Sequence, residues 1–491
     1  MQQAEFENFV VISDSKKLSI DKRTHLMSQT LTPPEILYIR PYWSRLISDC
    51  IPSLVTKIER LILKIQLNEN LDRMVGESFA GWDNDKTYIV SESQYRRLDS
   101  KVKSRHDFIV SNCSNILSND SDPCSFWSAV NQTAYTFVIV QRFKGGELVY
   151  SETIKLGTKF LASENQERTK KVARVLVAES MTRKNQINQY SVLRCHLPKP
   201  SYLNLARYLL KKSAKKFIGS LVKQETSKWQ VRIDEFKDGE ILEKSWIIGD
   251  GTSSLIADPF LFTHENSTYC FVEEIETSSS KGHITVFNFE NSEWNRLGVA
   301  LEEDSHLSFP FLFEFENEIY MVPESSRRNE IGLYKAINFP MKWEKMHTII
   351  RGISSADSLI FSHNGKWWLL SNVDSMALGD HNLELHGWFS DSPLSREWTP
   401  VANNPIYRDE SISRNGGLIC IDGNIHRVAQ NNNSGTYGRS FHLRKILDIT
   451  GNEYIDELVE EDYSIPEVLA SHHMSLVENF VARDFRAISP R

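Results

Sequence analysis

A segment of hairpin size recurs four times without a gap: DPFLFTHENSTYCFVE from Asp258, FPFLFEFENEIYMVPE from Phe309, DSLIFSHNGKWWLLSN from Asp357 and NGGLICIDGNIHRVAQ from Asn415. The starts lie 51, 48 and 58 residues apart, and repetition at about 50 residues marks an array of like supersecondary units. In each copy an aromatic or His stands eleven positions after the first residue (Tyr269, Tyr320, Trp368, His426). A carboxylate or amide stands fifteen after it (Glu273, Glu324, Asn372, Gln430). Each copy reads as two short apolar strands about a polar turn, with Asn364-Gly365 and Asp422-Gly423 as strong hairpin signals. A second strand pair, closed by Trp294, Trp343, Trp398 or Tyr454, follows each hairpin. Four strands per repeat is the content of a propeller blade.

A fifth copy, LASHHMSLVENFVARD from Leu469, places Phe480 at the aromatic position and Asp484 at the polar one. Its missing outer strands can come from WQVRIDEF and ILEKSWII, around Trp229 and Trp246. The ring would then close by pairing strands from before the first copy with the last hairpin, which removes exposed sheet edges. The expectation is an all-β, five-bladed propeller over residues 228–491. Residues 1–200 alternate strand-like runs (FVVIS, ILYI, TYIVS, DFIVS, YTFVIVQRF) with helix-like ones (WSRLISDCIPSLVTKIERLILKI, ERTKKVARVLVAESM), the pattern of an α/β domain with a partly parallel sheet. Between them, residues 201–227 read as a linker helix. In 202–224, Leu205, Leu209, Phe217, Ile218 and Leu221 approximate an apolar stripe beside six bases and no acid. Such a helix either packs on its own domains or makes a peripheral contact with an anionic membrane.

At 491 residues the chain is too long for one ordinary domain. A net charge of −7 gives no reason to expect a nucleic-acid partner. Six scattered cysteines without a CxxC pair indicate neither a zinc site nor a disulfide framework. No GxGxxG or P-loop occurs in the N-terminal part, so no cofactor is expected and no metal is assigned. The opening MQQAEFENFVVISDSKK lacks the pattern of a signal peptide, and no apolar run approaches the roughly 20 residues that span a bilayer. The expectation is a cytoplasmic protein, peripheral at most to the inner face of the membrane.

Equivalent positions on successive blades converge at a propeller's centre. If the first repeat position opens the inner strand, Asp258, Phe309, Asp357 and Asn415 meet there, with neighbours His306, Ser308 and Arg414. The second hairpin strand adds Glu273, Glu274, Glu324 and Gln430, and Trp367, Trp368 and Tyr437 offer stacking surfaces. Acidic and amide groups with one Arg suit a hydroxyl-rich ligand, a carbohydrate or a sugar-phosphate-lipid. A glycosidase needs two carboxylates across a scissile bond, and Asp258, Asp357 and Glu324 meet that count. Each also has a purely structural reading: Asp258 before Pro259 and Glu324 after Pro323 can cap turns, and Asn415-Gly416-Gly417 can be a tight turn.

The segments ADPFLF (257–262), HLSFPFLF (306–313), YMVPES (320–325), LYKAINFPMKW (333–343), ADSLIF (356–361), WWLL (367–370), SRNGG (413–417) and VAQNNNSGTYG (428–438) resemble the propeller domain at the N-terminus of plant glucosamine inositolphosphorylceramide transferases, a domain also found in bacterial envelope-polysaccharide proteins. That resemblance implies a role in cell-surface glycan or glycolipid biosynthesis, with the sugar bound at the channel and assistance to, or performance of, glycosyl transfer. In the plant enzymes the transfer itself is attributed to a separate glycosyltransferase domain absent from this chain. The propeller is similar in turn to five-bladed furanosidases, whose first three inner strands carry the catalytic acids. Asp258 matches the first and Asp357 the third, while Phe309-Pro310 stands where the second would be. The resemblance therefore favours a transferase-related role over a glycoside hydrolase acting through Asp258, Asp357 and Glu324, with a non-catalytic scaffold as the remaining alternative. The stretch 126–156 faintly resembles formyltransferases, implying a degenerate formyltransferase-like N-terminal domain. Asn112 is a candidate for that family's Asn, and no His-Pro-Ser-like segment lies between it and Trp127.

Overall fold

The computed structural model describes residues 9–11, 87–91, 95, 98, 100–112, 123–182, 202–218, 228–249, 254–276, 281–432, 437–459, 463 and 465–486. The sequence-predicted strand ILYI, the helix-like run at 43–65, Leu221, and the cysteines Cys50, Cys113 and Cys195 lie outside them. Two compact units divide the chain, Met1–Ile218 and Gly219–Arg491.

In the first unit a five-stranded sheet runs in the order β1 (Phe9–Val11), β2 (Thr87–Ser91), β3 (Asp107–Ser111), β4 (Tyr135–Lys144), β5 (Glu147–Gly157). The first three strands are parallel and the last two antiparallel. Four helices accompany it among the described residues: α1 (Ser100–Arg105), α2 (Pro123–Asn131), α3 (Ala162–Thr182) and α4 (Tyr202–Ile218). Asn112 spends its carboxamide on the backbone of β4: Nδ2 donates to Phe137 O at 2.8 Å and Oδ1 accepts from Ile139 N at 2.8 Å. In this structure Asn112 is thus a strand clamp. Residues 113–122, which follow it, lie outside the described ones. No described helix is long and apolar enough to cross a membrane.

The second unit is mostly β. Four sheets form in chain order, each antiparallel and built from neighbouring strands. The first is β8 (Leu255–His264), β9 (Ser267–Ile275), β10 (Gly282–Glu290) and β11 (Glu293–Leu301). The second is β12 (Ser308–Phe315), β13 (Glu318–Glu324), β14 (Glu330–Asn338) and β15 (Lys342–Arg351). The third is β16 (Ser355–His363), β17 (Lys366–Val373), β18 (Glu384–Ser390) and β19 (Thr399–Pro400), with β20 (Tyr407–Arg408) also on β18. The fourth is β21 (Asn415–Ile421), β22 (Asn424–Asn431), β23 (Ser440–Ile449) and β24 (Tyr454–Leu458). A fifth sheet joins distant parts of the chain in the order β25 (Met474–Val477), β26 (Phe480–Arg486), β6 (Trp229–Lys237), β7 (Glu240–Ile248). The strands β8, β12, β16, β21 and β25 lie against one another in cyclic order, β25 returning to β8.

Alternation of side chains along each strand turns one set toward the neighbouring sheet, and these sets form the core. Phe480 of the fifth sheet meets Trp294 and Phe289 of the first. Phe339 of the second sheet sits against Tyr269 and Phe271 of the first. Trp367 meets Phe313 and Phe315 of the second sheet, while Trp368 is buried and donates its indole N–H to His363 O at 3.0 Å. Trp367 is therefore a partly buried residue of an inter-sheet seam and Trp368 a core residue.

Four of the five inner strands are broken at nearly the same place. Register shifts fall between Ala257 and Phe260, Ser308 and Phe311, Ala356 and Leu359, and Asn415 and Leu418. These are bulges, which kink a strand and re-aim the extra residues. The first bulged residues are Asp258, Phe309 and Asp357, with φ of 51°, 46° and 49°, a region L-residues seldom adopt. In the fourth sheet the bulge falls on Gly416-Gly417, one residue after the Asn415 of the repeat register. A Cβ on Gly416 would lie 2.2 Å from His472 O, and one on Gly417 2.2 Å from Met474 O, so only glycine lets the fourth and fifth sheets approach this closely.

Candidate functional site

The bulges place side chains of all five sheets within mutual reach. Asp258 Oδ2 accepts from Phe309 N at 3.3 Å, and its Oδ1 stands 3.6 Å from His473 Nδ1. Asp484 Oδ1 accepts from the amides of His472 and His473 at 2.9 Å each. Its Oδ2 faces His472 Nδ1 and lies 3.4 Å from Asp258 N. In the third sheet Asn372 Oδ1 likewise accepts from Asn415 N at 2.9 Å, while its Nδ2 donates to Glu384 O and Ser413 O. The polar residue fifteen positions into these two copies is thus a staple to the next sheet's bulge.

Asp357 is the hub. It is 3% exposed. Its Oδ2 accepts from Arg414 Nε at 2.6 Å and from Gln430 Nε2 at 3.3 Å. Burial, followed by the charge of Asp357, pushes Glu324 well above the usual carboxylate range, toward its protonated form. Burial and the charges of Glu273, Asp357 and Asp484 push Asp258 up as well. Arg414 Nη1 also donates to Asn382 Oδ1 at 3.0 Å.

Tyr437 caps this cluster. Arg414 lies 4.9 Å from its ring centroid, a cation–π contact, and its edge meets His472 at 5.0 Å. Burial of its hydroxyl, with the charges of Asp357, Asp258 and Glu324, pushes its pKa up, although 42% of the residue's surface stays exposed. Its turn is held by Gly438 N, which donates to Asn432 Oδ1 at 2.8 Å, and by Asn432 Nδ2 to Asn382 Oδ1. On the far side of His472, Trp229 stacks at 4.3 Å between centroids.

The remaining sequence-predicted residues separate clearly. His306 Nδ1 accepts from Gly282 N at 2.8 Å, so Nε2 carries the proton and faces Glu273 at 3.0 Å. Ser308 is buried opposite Glu324 across β12 and β13. Asn415 is fully buried and occupied: Nδ2 donates to Asp357 O at 2.8 Å and Oδ1 accepts from Arg427 Nη1 at 3.3 Å. Glu274 sits on the other face of β9 from Glu273 and binds Thr285 Oγ1 at 2.6 Å and Arg296 Nη2 at 2.8 Å, away from Asp357. His283, Thr285 and Arg296 hold its carboxyl far below the usual range, against burial. Gln430 Nε2 donates to Asn415 O at 2.6 Å, while its Oε1 is buried without a hydrogen-bond partner among the described residues.

His472, His473, Asn382, Asn432 and Trp229 were not among the sequence-predicted site residues. The adjacent histidines ahead of β25, in line with the other bulges, are the signal that could have found two of them. His473 is fully buried, both ring nitrogens lack hydrogen bonds among the described residues, and burial pushes its pKa down to about 4, so it is neutral at physiological pH. Asp258, His472 and Asp484 can bring one ligand atom each within 4.8 Å of one another. The Asp484 oxygens are already engaged by three backbone amides and His472, so this set does not fit a metal well.

The second unit is thus a closed cycle of antiparallel sheets with carboxyls, one arginine, amides and a half-exposed tyrosine gathered at its bulges. Residues 239–471 match the family model described as "Glucosamine inositolphosphorylceramide transferase 1, N-terminal". The chain is 39% identical over 211 residues to glucosamine inositolphosphorylceramide transferase 1 of Oryza sativa subsp. japonica, a match covering 42% of this chain and 28% of the rice protein. The Arabidopsis thaliana protein of the same name is 37% identical over 218 residues, 43% of this chain and 28% of its own length. The match thus spans less than a third of these relatives. Among solved structures, an α-L-arabinofuranosidase from Podospora anserina is similar at 13% identity and a TM-score of 0.36, over 50% of this chain and 83% of that one.

Proposed function

We propose that the second unit is a five-bladed propeller that binds the sugar part of a glycolipid or lipid-linked glycan at Asp357, Arg414, Glu324, Gln430 and Tyr437, and serves glycosyl transfer in cell-surface glycan assembly. The carrying observation is the pairing of opposite hydrogen-bonding roles within one buried cluster. Glu324 is pushed toward its protonated, donating form, Arg414 is a fixed cation, Asp357 accepts from Arg414 and Gln430, and Gln430 Oε1 is an acceptor with no partner among the described residues. Sugar hydroxyls need donors and acceptors side by side, and an aromatic face such as that of Tyr437 stacks on a sugar ring. The relatives' printed name couples glucosamine to an inositolphosphorylceramide, which supports a sugar- and lipid-linked substrate here. A peripheral membrane contact through 202–224 is consistent with a lipid-linked acceptor.

Titration calorimetry of the full chain against glucosamine, inositol phosphate and inositolphosphorylceramide micelles tests the reading. Binding of at least one that weakens tenfold or more in Asp357→Asn and in Tyr437→Ala supports it. Binding that neither substitution alters, or no binding to any of the three, overturns it.

Glycoside hydrolysis is the second reading, favoured by the raised carboxyl of Glu324, the form a general acid needs. It predicts release of free monosaccharide abolished by Asp258→Asn or Asp357→Asn. Against it, Asp258 is pushed toward its neutral form, whereas the nucleophile or base of a glycosidase acts as a carboxylate.

A further inference from the structure

We propose that α4 lies on an anionic lipid bilayer through the side it turns away from its own unit, a contact that stands independently of the axial site. The helix's rotation is fixed by one face. Leu205 and Tyr208 are 8% and 1% exposed and pack with Phe126, Trp127 and Val130 of α2. Tyr208 Oη accepts from Ala162 N at 3.0 Å, and Asn204 Nδ2 donates to Asn131 Oδ1 at 3.0 Å.

With 3.6 residues per turn, Leu203, Ala206 and Leu210 fall on the opposite side. Leu203 is 62% exposed and Leu210 70%. A solvated helix face is ordinarily polar, so an apolar stripe here needs an occupant. The apolar stripe expected from the sequence began at Leu205, which the structure spends inside the unit; the exposed stripe is a different one.

The flanking charge selects the occupant. Arg207 and Lys211 are exposed beside Leu203 and Leu210, and residues 202–224 hold six bases and no acid in a chain of net charge −7. Leucines that reach the boundary between headgroups and acyl chains, edged by bases that meet acidic headgroups, are the features of a helix lying in a membrane interface. An apolar protein groove would account for the leucines and leave the bases unused.

The test is co-sedimentation of the full chain with vesicles of phosphatidylcholine alone or mixed with phosphatidylserine. Binding is expected only to the mixed vesicles at moderate salt, and it should fall as salt rises. Arg207→Gln with Lys211→Gln should weaken it about 30-fold, at about 1 kcal/mol per base removed. Leu203→Ser with Leu210→Ser should release the protein by a comparable factor. These are exposed positions outside the axial cluster, so both variants should keep the parent's melting temperature and its ligand binding at Asp357 and Tyr437. Equal binding to both vesicle types, no binding to either, or folded variants that bind as the parent does would each overturn the proposal. So would a stable complex with another protein through the same leucines in the absence of vesicle binding.

Discussion

Replacing Arg414 with Met removes the cation that pairs with Asp357 while keeping most of the side chain's apolar stem. The two residues are 9% and 3% exposed, and Nε lies 2.6 Å from Oδ2. Removing one partner of a buried pair leaves an uncompensated charge, at a cost of about 3–5 kcal/mol, or about 10 °C in melting temperature for a unit of this size. Arg414→Met with Asp357→Asn should recover most of the loss, giving a coupling of about 2 kcal/mol or more between the sites. Urea denaturation of the four proteins of the cycle measures this. A double variant as unstable as the single would refute the pairing of Arg414 with Asp357 as the centre of the cluster.

Two further outcomes are expected. Gly416→Ala places a methyl 2.2 Å from the carbonyl of His472; since backbone must move, soluble yield and melting temperature should both fall sharply, and an Ala variant with the parent's melting curve would contradict the close approach of the fourth and fifth sheets. For His473, the native ring resists protonation down to about pH 4, while the unfolded chain takes up the proton near pH 6.5. Stability from this group is thus present above 6.5 and is lost as pH falls toward 4, by about 3 kcal/mol in all. His473→Phe, between Phe260 and Phe309, should be more stable than the parent at pH 4.5 relative to pH 7.5, and an identical pH dependence of the urea midpoint in both proteins would count against it.

The hairpins were legible because every copy keeps apolar strand residues, a polar turn and an aromatic or His at the same offset. The missing partner of the last hairpin was legible for a similar reason. Strands around Trp229 and Trp246 have no second pair of their own, and in the structure β6 lies between β26 and β7. Asp258, Asp357, Arg414 and Gln430 could be singled out because chemistry and repeat position agree there. Other assignments needed information that spacing lacks. The fourth copy is one residue shorter between bulge and turn, so the gapless register named Asn415 where the bulge begins at Gly416. Glu273 and Glu274 have the same chemistry, and strand alternation sends only one of them to each face. His472 and His473 were passed over because the fifth copy was read from Leu469, whereas its inner strand begins at Met474. Trp229 reaches His472 only through the pairing of β26 with β6, a contact across more than two hundred residues.

That pairing bears on the order in which the site can come into being. Arg483 contacts Asp234 across 249 positions of chain, and Asp484 supports the bulge that carries Asp258. During synthesis the first sheet emerges long before β26, so Asp258 waits without the neighbour that fixes its backbone while four sheets accumulate. The Asp258 end of the axial cluster is therefore completed last. A nascent chain that stops short of β26 already holds Asp357, Arg414 and Gln430 from finished sheets and lacks only the carboxylate that supports the backbone of Asp258.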